Sequence, residues 1–141
     1  MDKEYFIIKS GNFIPNSKLH TQITINMFDF EKLDVYKKSK ELNKEVLKFL
    51  KENKQIDVYL KDQLRRASIS MVINIAEGSG KFSKADKKNF YTIARGSTYE
   101  CVSLFEIIFE ENYINKELFE NFYNKFEIIS KMLLGLINSQ R

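Results

Sequence analysis

Tryptophan is absent from this 141-residue chain, and cysteine, proline and histidine occur once each, as Cys101, Pro15 and His20. A lone cysteine has no internal disulfide partner, so nothing marks the chain as made for an oxidising compartment. Five glycines and one proline leave few turn-formers, which favours long elements and few connections. A single histidine excludes the paired Glu-x-x-His ligands of a di-iron bundle. The opening residues carry Asp2 and Glu4 and only a short apolar cluster, unlike a secretory signal. No apolar run approaches the roughly 20 residues that cross a bilayer. These absences lead to the expectation of a cytoplasmic chain with no membrane role, no cofactor and no metal.

What is present is an ordinary globular balance, 43% apolar and 30% charged, in a length that suits one domain. The net charge of +4 hides a segregation. Eleven basic residues face seven acidic ones from Glu31 to Arg66, and five face one from Lys81 to Arg95. From Gly96 to Ser130 seven glutamates face only Lys116 and Lys125. Such a surface attracts a polyanion or stacks head to tail with copies of itself.

The first 28 residues hold Pro15, Gly11, His20 and two short apolar patches, and read as a non-helical N-terminal arm. Within it, Gln22 to Met27 alternates with strand period. Residues 29–141 read as an all-α, antiparallel up-down four-helix bundle. The first helix is expected from a cap at Asp29 to about Glu52, with Leu33, Tyr36, Val46, Leu47 and Leu50 inward. The second is expected from about Asp57 to Glu77, stopped by Gly78-Ser79-Gly80. The third has a capping signal at Ser83 with Asp86 three residues on. Its expected inward stripe is Phe90, Ile93, Ala94, Ser97, Cys101, Leu104, Phe105 and Ile108. After a turn near Asn112, the fourth runs from about Asn115 to Asn138 with Phe119, Phe122, Phe126, Ile129, Leu133 and Leu136 inward. Short connections force neighbours to be antiparallel.

From Ile69 to Ala76 the second helix is apolar on nearly every side. A helix buried all round needs more cover than two neighbours supply, so Ile69, Val72, Ile73 and Ala76 are candidates for a contact between copies. The plainer reading is a helix central enough to be covered within one chain. Arg66, Ser70, Asn74 and Glu77 recur on one stripe of that helix, and Gly96, Ser97 and Glu100 offer a matching feature on the third. A mid-helix Gly96 implies close approach of another backbone. This polar seam reads either as a ligand or partner site, or as a structural network. In the second case Arg66 or Arg95 pairs a glutamate and Asn74 sets the register.

No nucleophile, base and orienting group can be assembled, so no catalytic residue is expected and the chain reads as non-enzymatic. Cys101 sits on an apolar stripe without a histidine to activate it. An enzyme acting at Glu77 and Glu100 would require both carboxylates exposed and close together. Lys81, Lys84, Lys87 and Lys88 cluster at the start of the third helix, where free amides and the dipole favour anions. With Arg65 and Arg66, and with Lys37, Lys38 and Lys40 if they face the same way, they are the candidate phosphate contacts. The plainer reading of such lysines is a solvated face.

The stretch Gln63 to Gly78 (QLRRASISMVINIAEG), followed by Phe90 to Glu100 (FYTIARGSTYE), resembles the family of 23S ribosomal RNA intervening-sequence proteins. That family's pattern is Q-L-R-R-A-x-x-S-I-x-x-N-I-A-E-G, then a polar turn, then F-x-x-I-A-x-G-S-x-x-E. Ser68-Ile69 falls two steps closer to Ala67 than the pattern has its Ser-Ile pair. The resemblance spans about Phe30 to Ile137 and marks Arg65, Arg66, Asn74, Glu77, Gly78, Gly96, Ser97 and Glu100 as signature positions. It implies an up-down four-helix bundle assembled as a ring, typically a pentamer. Some members are encoded within insertions in large ribosomal RNA genes. A related branch, the accessory variability determinant of diversity-generating retroelements, binds its reverse transcriptase and nucleic acid. The expectation is therefore a homo-oligomeric scaffold or accessory factor that binds RNA or DNA. A reverse transcriptase is a further partner in a retroelement context. The alternative is a protein-binding adaptor with no nucleic-acid role.

Overall fold

Three of the four long helices start at a side chain that satisfies their free amides. Asp57 accepts from the Tyr59 and Leu60 amides, Ser83 from that of Asp86, and Asn115 from that of Leu118. Each such cap contributes about 1 kcal/mol. The computed structural model describes residues 28–141 and two short strands, β1 (Ile8–Lys9) and β2 (Asn12–Phe13), which pair antiparallel. The strand expected between Gln22 and Met27, and the packing of the arm, lie outside the described residues. The helices are α1 (Asp34–Glu52), α2 (Val58–Ser79), α3 (Lys84–Glu110) and α4 (Lys116–Ser139). They form the expected all-α, antiparallel up-down four-helix bundle. The α2–α3 contact is the most extensive, followed by α3–α4 and α1–α2, with α1–α4 the slightest.

Several local expectations need correction. Asp29 opens a 3-10 turn (Asp29–Lys32) and not α1, which begins after an extended Leu33 that provides no side-chain cap. The break at Leu33 lets Phe30 meet Tyr36 edge to face at 4.8 Å, with Phe28 stacked on Phe30 at 5.6 Å. The buried line of α1 is Val35, Ser39, Leu42, Val46, Phe49 and Leu50, whereas Leu33, Tyr36 and Leu47 are half-buried at its edge. Gly78 does not stop α2: the helix continues through Ser79, and Gly80 caps it in the right-handed region. On α3, Ile93 is 43% exposed and Tyr91 and Thr98 are buried in its place. A one-residue step rotates a helical position by about 100°, so a stripe read too wide exchanges core for surface.

The α3–α4 turn closes as a Schellman motif. Asn112 takes the left-handed conformation (φ 62°) while the Tyr113 amide donates to Ile108 and that of Asn112 to Phe109. This helps to gather four aromatic rings in the core toward that end of the bundle. Phe105 stacks on Phe122 at 4.4 Å, and Phe49 approaches both, at 5.4 and 5.5 Å. Phe126 closes the group at 5.9 Å from Phe105. Burying each ring contributes about 1.5–3 kcal/mol, so this cluster outweighs any surface ion pair.

Candidate functional site

The α2–α3 contact is set by hydroxyls. Ser70 Oγ and Ser97 Oγ lie 2.9 Å apart, and Asn74 Nδ2 donates to the Ser70 carbonyl and hydroxyl at 2.8 and 3.0 Å. On the other side of α2, Ser68 Oγ donates to Asn43 Oδ1 of α1 at 2.8 Å. Among the described residues no buried side-chain polar atom lacks a partner. The buried polar atoms of the seam therefore find their partners within the chain. Its expected ion pairs are different: Arg66 bonds Asp62 at 2.8 Å, and Arg95 bonds the Tyr99 hydroxyl at 2.6 Å, so neither pairs a glutamate. Glu77 and Glu100 are exposed and are not brought together. They lie on opposite sides of the Ser70–Ser97 level, about 15 Å apart along the bundle by helix rise.

Beside the seam lies an apolar face that the described residues do not cover. Ile73 is 48% exposed and Ile93 43%, at the same height by the Ser70–Ser97 register. Ile69, Val72 and Ala76 are half-buried, while Met71 and Ile75 are completely enclosed. Gly96 lies on this face, and among the described residues a Cβ there meets nothing within 4 Å, so none of their backbone approaches it. The glycine that does serve close approach is Gly78, against Tyr91.

The nominated basic residues do not form one field. Lys87 Nζ donates to the Ser79 carbonyl at 2.7 Å, capping α2. Lys84 reaches the Arg141 carbonyl at 2.8 Å, and Lys81 lies 4.7 Å over the Phe90 ring. Lys88 is exposed. Arg65 and Arg66 are exposed about 20 Å farther along the bundle by helix rise. A more continuous basic surface is on α1, where Lys37, Lys40, Lys44, Lys48 and Lys51 are all exposed at steps of three and four. Only Lys48 has a carboxylate within 4 Å among the described residues, that of Glu52 at 3.9 Å, although Glu41 borders the row. Lys37 and Lys40 were legible as helix-1 additions. The full row carries a helical spacing that is visible in the sequence once lysines are read as a face.

Cys101 is buried, and enclosure pushes its thiol far above the ordinary range, with the Glu100 charge adding to the shift. Burial likewise raises the Tyr91 hydroxyl, offset in part by a hydrogen bond with Ser79. Among the described residues, no three His, Cys, Asp or Glu side chains converge to hold a metal ion, and no helix is long and apolar enough to cross a membrane.

Comparison with known proteins places the chain. A crystallised protein of unknown function from the S23 ribosomal protein family of Bacteroides thetaiotaomicron VPI-5482 shares 28% identity with it. The match covers 74% of this chain and 95% of that one, with a TM-score of 0.71. No functionally curated protein matches. Residues 31–135 match the family model described as 23S rRNA-intervening sequence protein, and the chain belongs to that family.

Proposed function

We propose that the chain is a non-enzymatic bundle that assembles with copies of itself into a ring, of five as the family resemblance implies, and binds RNA or DNA. In this reading it acts as a scaffold or accessory factor. The observation that carries it is the row of five exposed lysines on α1. They supply one positive charge per about 5 Å of helix axis, comparable with the phosphate spacing of about 3.4 Å per strand. Self-association through Ile69, Val72, Ile73 and Ala76, with Ile93 beside them, repeats that row around the assembly and multiplies its effect. Lys88 and Arg65, both exposed, are the members of the nominated set that fit the role. Lys84 and Lys87 hold backbone carbonyls instead.

The test is fluorescence anisotropy of labelled single-stranded RNA and DNA across a salt series, with the intact protein. A triple substitution of Lys40, Lys44 and Lys51 to Gln is expected to weaken binding at least about tenfold. It should also flatten the log–log salt slope by about 2, since each phosphate contact on a single strand contributes about 0.7. Absence of binding at low salt, or an unchanged slope in the triple variant, rejects the reading.

A further inference from the structure

The lysine row on α1 leads, at its N-terminal end, into a stack of aromatic rings. Tyr36 precedes Lys40 by four residues, so it continues the stripe of Lys40, Lys44 and Lys48, and the Lys40 Nζ lies 5.9 Å over its ring. Phe30 meets Tyr36 edge to face at 4.8 Å, and Phe28 stacks on Phe30 at 5.6 Å with the two planes 17° apart. Tyr36 and Phe30 are half-buried, whereas Phe28 is 71% exposed. One face of Phe28 is thus taken by Phe30 and, among the described residues, the other is open. A phenyl ring left in water forgoes the stabilisation that burial supplies. The charge also changes sign where the rings begin. From Phe28 to Val35 the carboxylates of Asp29, Glu31 and Asp34 face Lys32 alone, which pairs Asp29 at 3.5 Å. A phosphate is therefore drawn along the row and repelled at its foot, while an uncharged base is free to meet the ring.

We infer that the nucleic acid taken by the row is single-stranded, with an unpaired base stacked on the open face of Phe28 and its phosphates following Lys40 to Lys51. This rests on the nucleic-acid reading above and adds the form of strand that the reading leaves open. Every base has a π-face, so a ring beside a line of cations holds an unpaired strand with little sequence preference. The bases of a continuous duplex are already stacked on one another and do not reach such a ring. Stacking senses neither the base's hydrogen-bonding edge nor the sugar, so ribose and deoxyribose strands are both accepted.

The experiment uses the full chain. Because the sequence contains no tryptophan, Phe28→Trp supplies a single emitter at the site. Its emission is expected to be quenched by a strand of about twelve nucleotides, ribose or deoxyribose. No quenching is expected from a strand of equal length whose sugars carry no bases, nor from a closed circular duplex. By anisotropy, Phe28→Ala is expected to weaken binding of the base-bearing strand about five- to tenfold and to leave the baseless strand and the salt slope unchanged. Circular dichroism is expected to stay the same, since Phe28 is largely exposed and lies outside the four long helices. Absence of binding by any strand removes the nucleic-acid reading and this inference together. Binding undiminished in Phe28→Ala, a baseless strand held as tightly as one with bases, or equal quenching by the duplex overturns the stacked base and leaves the lysine row standing. A fall in oligomeric mass in Phe28→Ala assigns the ring to a contact between copies and overturns it as well.

Discussion

A Cβ on Gly78 meets Cε1 of Tyr91 at 2.7 Å and Cδ1 at 2.9 Å. Tyr91 is only 3% exposed and so has little room to yield, and the Phe90 Cβ stands 3.0 Å away. The glycine is needed for contact between the end of α2 and the start of α3, and not for a special backbone angle. Gly78→Ala gains about 1 kcal/mol in helix preference and loses about 1–3 to overpacking. The expected net is a destabilisation of about 1 kcal/mol, read from urea unfolding. Equal or higher stability refutes the contact.

Gly96 is the converse case. With nothing within 4 Å of an added Cβ among the described residues, Gly96→Ala is expected to stabilise the dilute chain by about 0.5–1 kcal/mol in the same assay. Its position beside Ile93 gives a second readout. If copies meet on this face, the added methyl lowers the oligomeric mass even as it raises the unfolding midpoint.

Ile73→Glu combined with Ile93→Glu tests that face directly. Both side chains are about half exposed in the single chain, so the bundle is expected to fold with unchanged helical circular dichroism. Sedimentation is expected to shift from an oligomer to a single copy, because paired carboxylates cannot be buried against a neighbour without large desolvation. A wild-type protein already sedimenting as one copy at micromolar concentration removes the assembly proposal.

Cys101 provides a pH prediction. Its folded thiol holds its proton more tightly than the unfolded one, so the stabilisation is complete below the unfolded pKa and is lost as pH rises above about 9. Tyr91 adds to the loss above about pH 10. Unfolding free energy is expected to fall across that range, and Cys101→Ser is expected to flatten the part due to the thiol. A thiol reagent at pH 8 should label Cys101 only after denaturant is added. Rapid labelling of the native protein contradicts the enclosure.

Local chemistry was legible where one residue governs one local event. Ser83 caps α3 as read, Asp57 and Asn115 cap α2 and α4 at the expected starting points, and Asn112 turns the chain. Asp29 misled, because a capping residue names a start without saying whether a 3-10 or an α turn follows. The lysines at the head of α3 misled for a different reason. A charge in the sequence does not say which carbonyl lies within its reach, and Lys87 finds that of Ser79 across a turn. Arg66 turned to Asp62, an i−4 neighbour available in its own helix, instead of crossing to a glutamate.

The amino-acid order by itself determined how many helices there are, where α2, α3 and α4 begin and that they alternate in direction. Caps, apolar periods and short connections act within a few residues, so they need no knowledge of the rest. Only the tertiary structure decided which flank of α2 and α3 is enclosed: Met71 and not Ile73, Tyr91 and not Ile93. Apolar and polar residues divide less sharply around those helices than around α1, so periodicity leaves their rotation open. The rotation is settled by long-range contacts such as Ser70 with Ser97 and Gly78 with Tyr91, and with it which isoleucines and which charges are left facing outward.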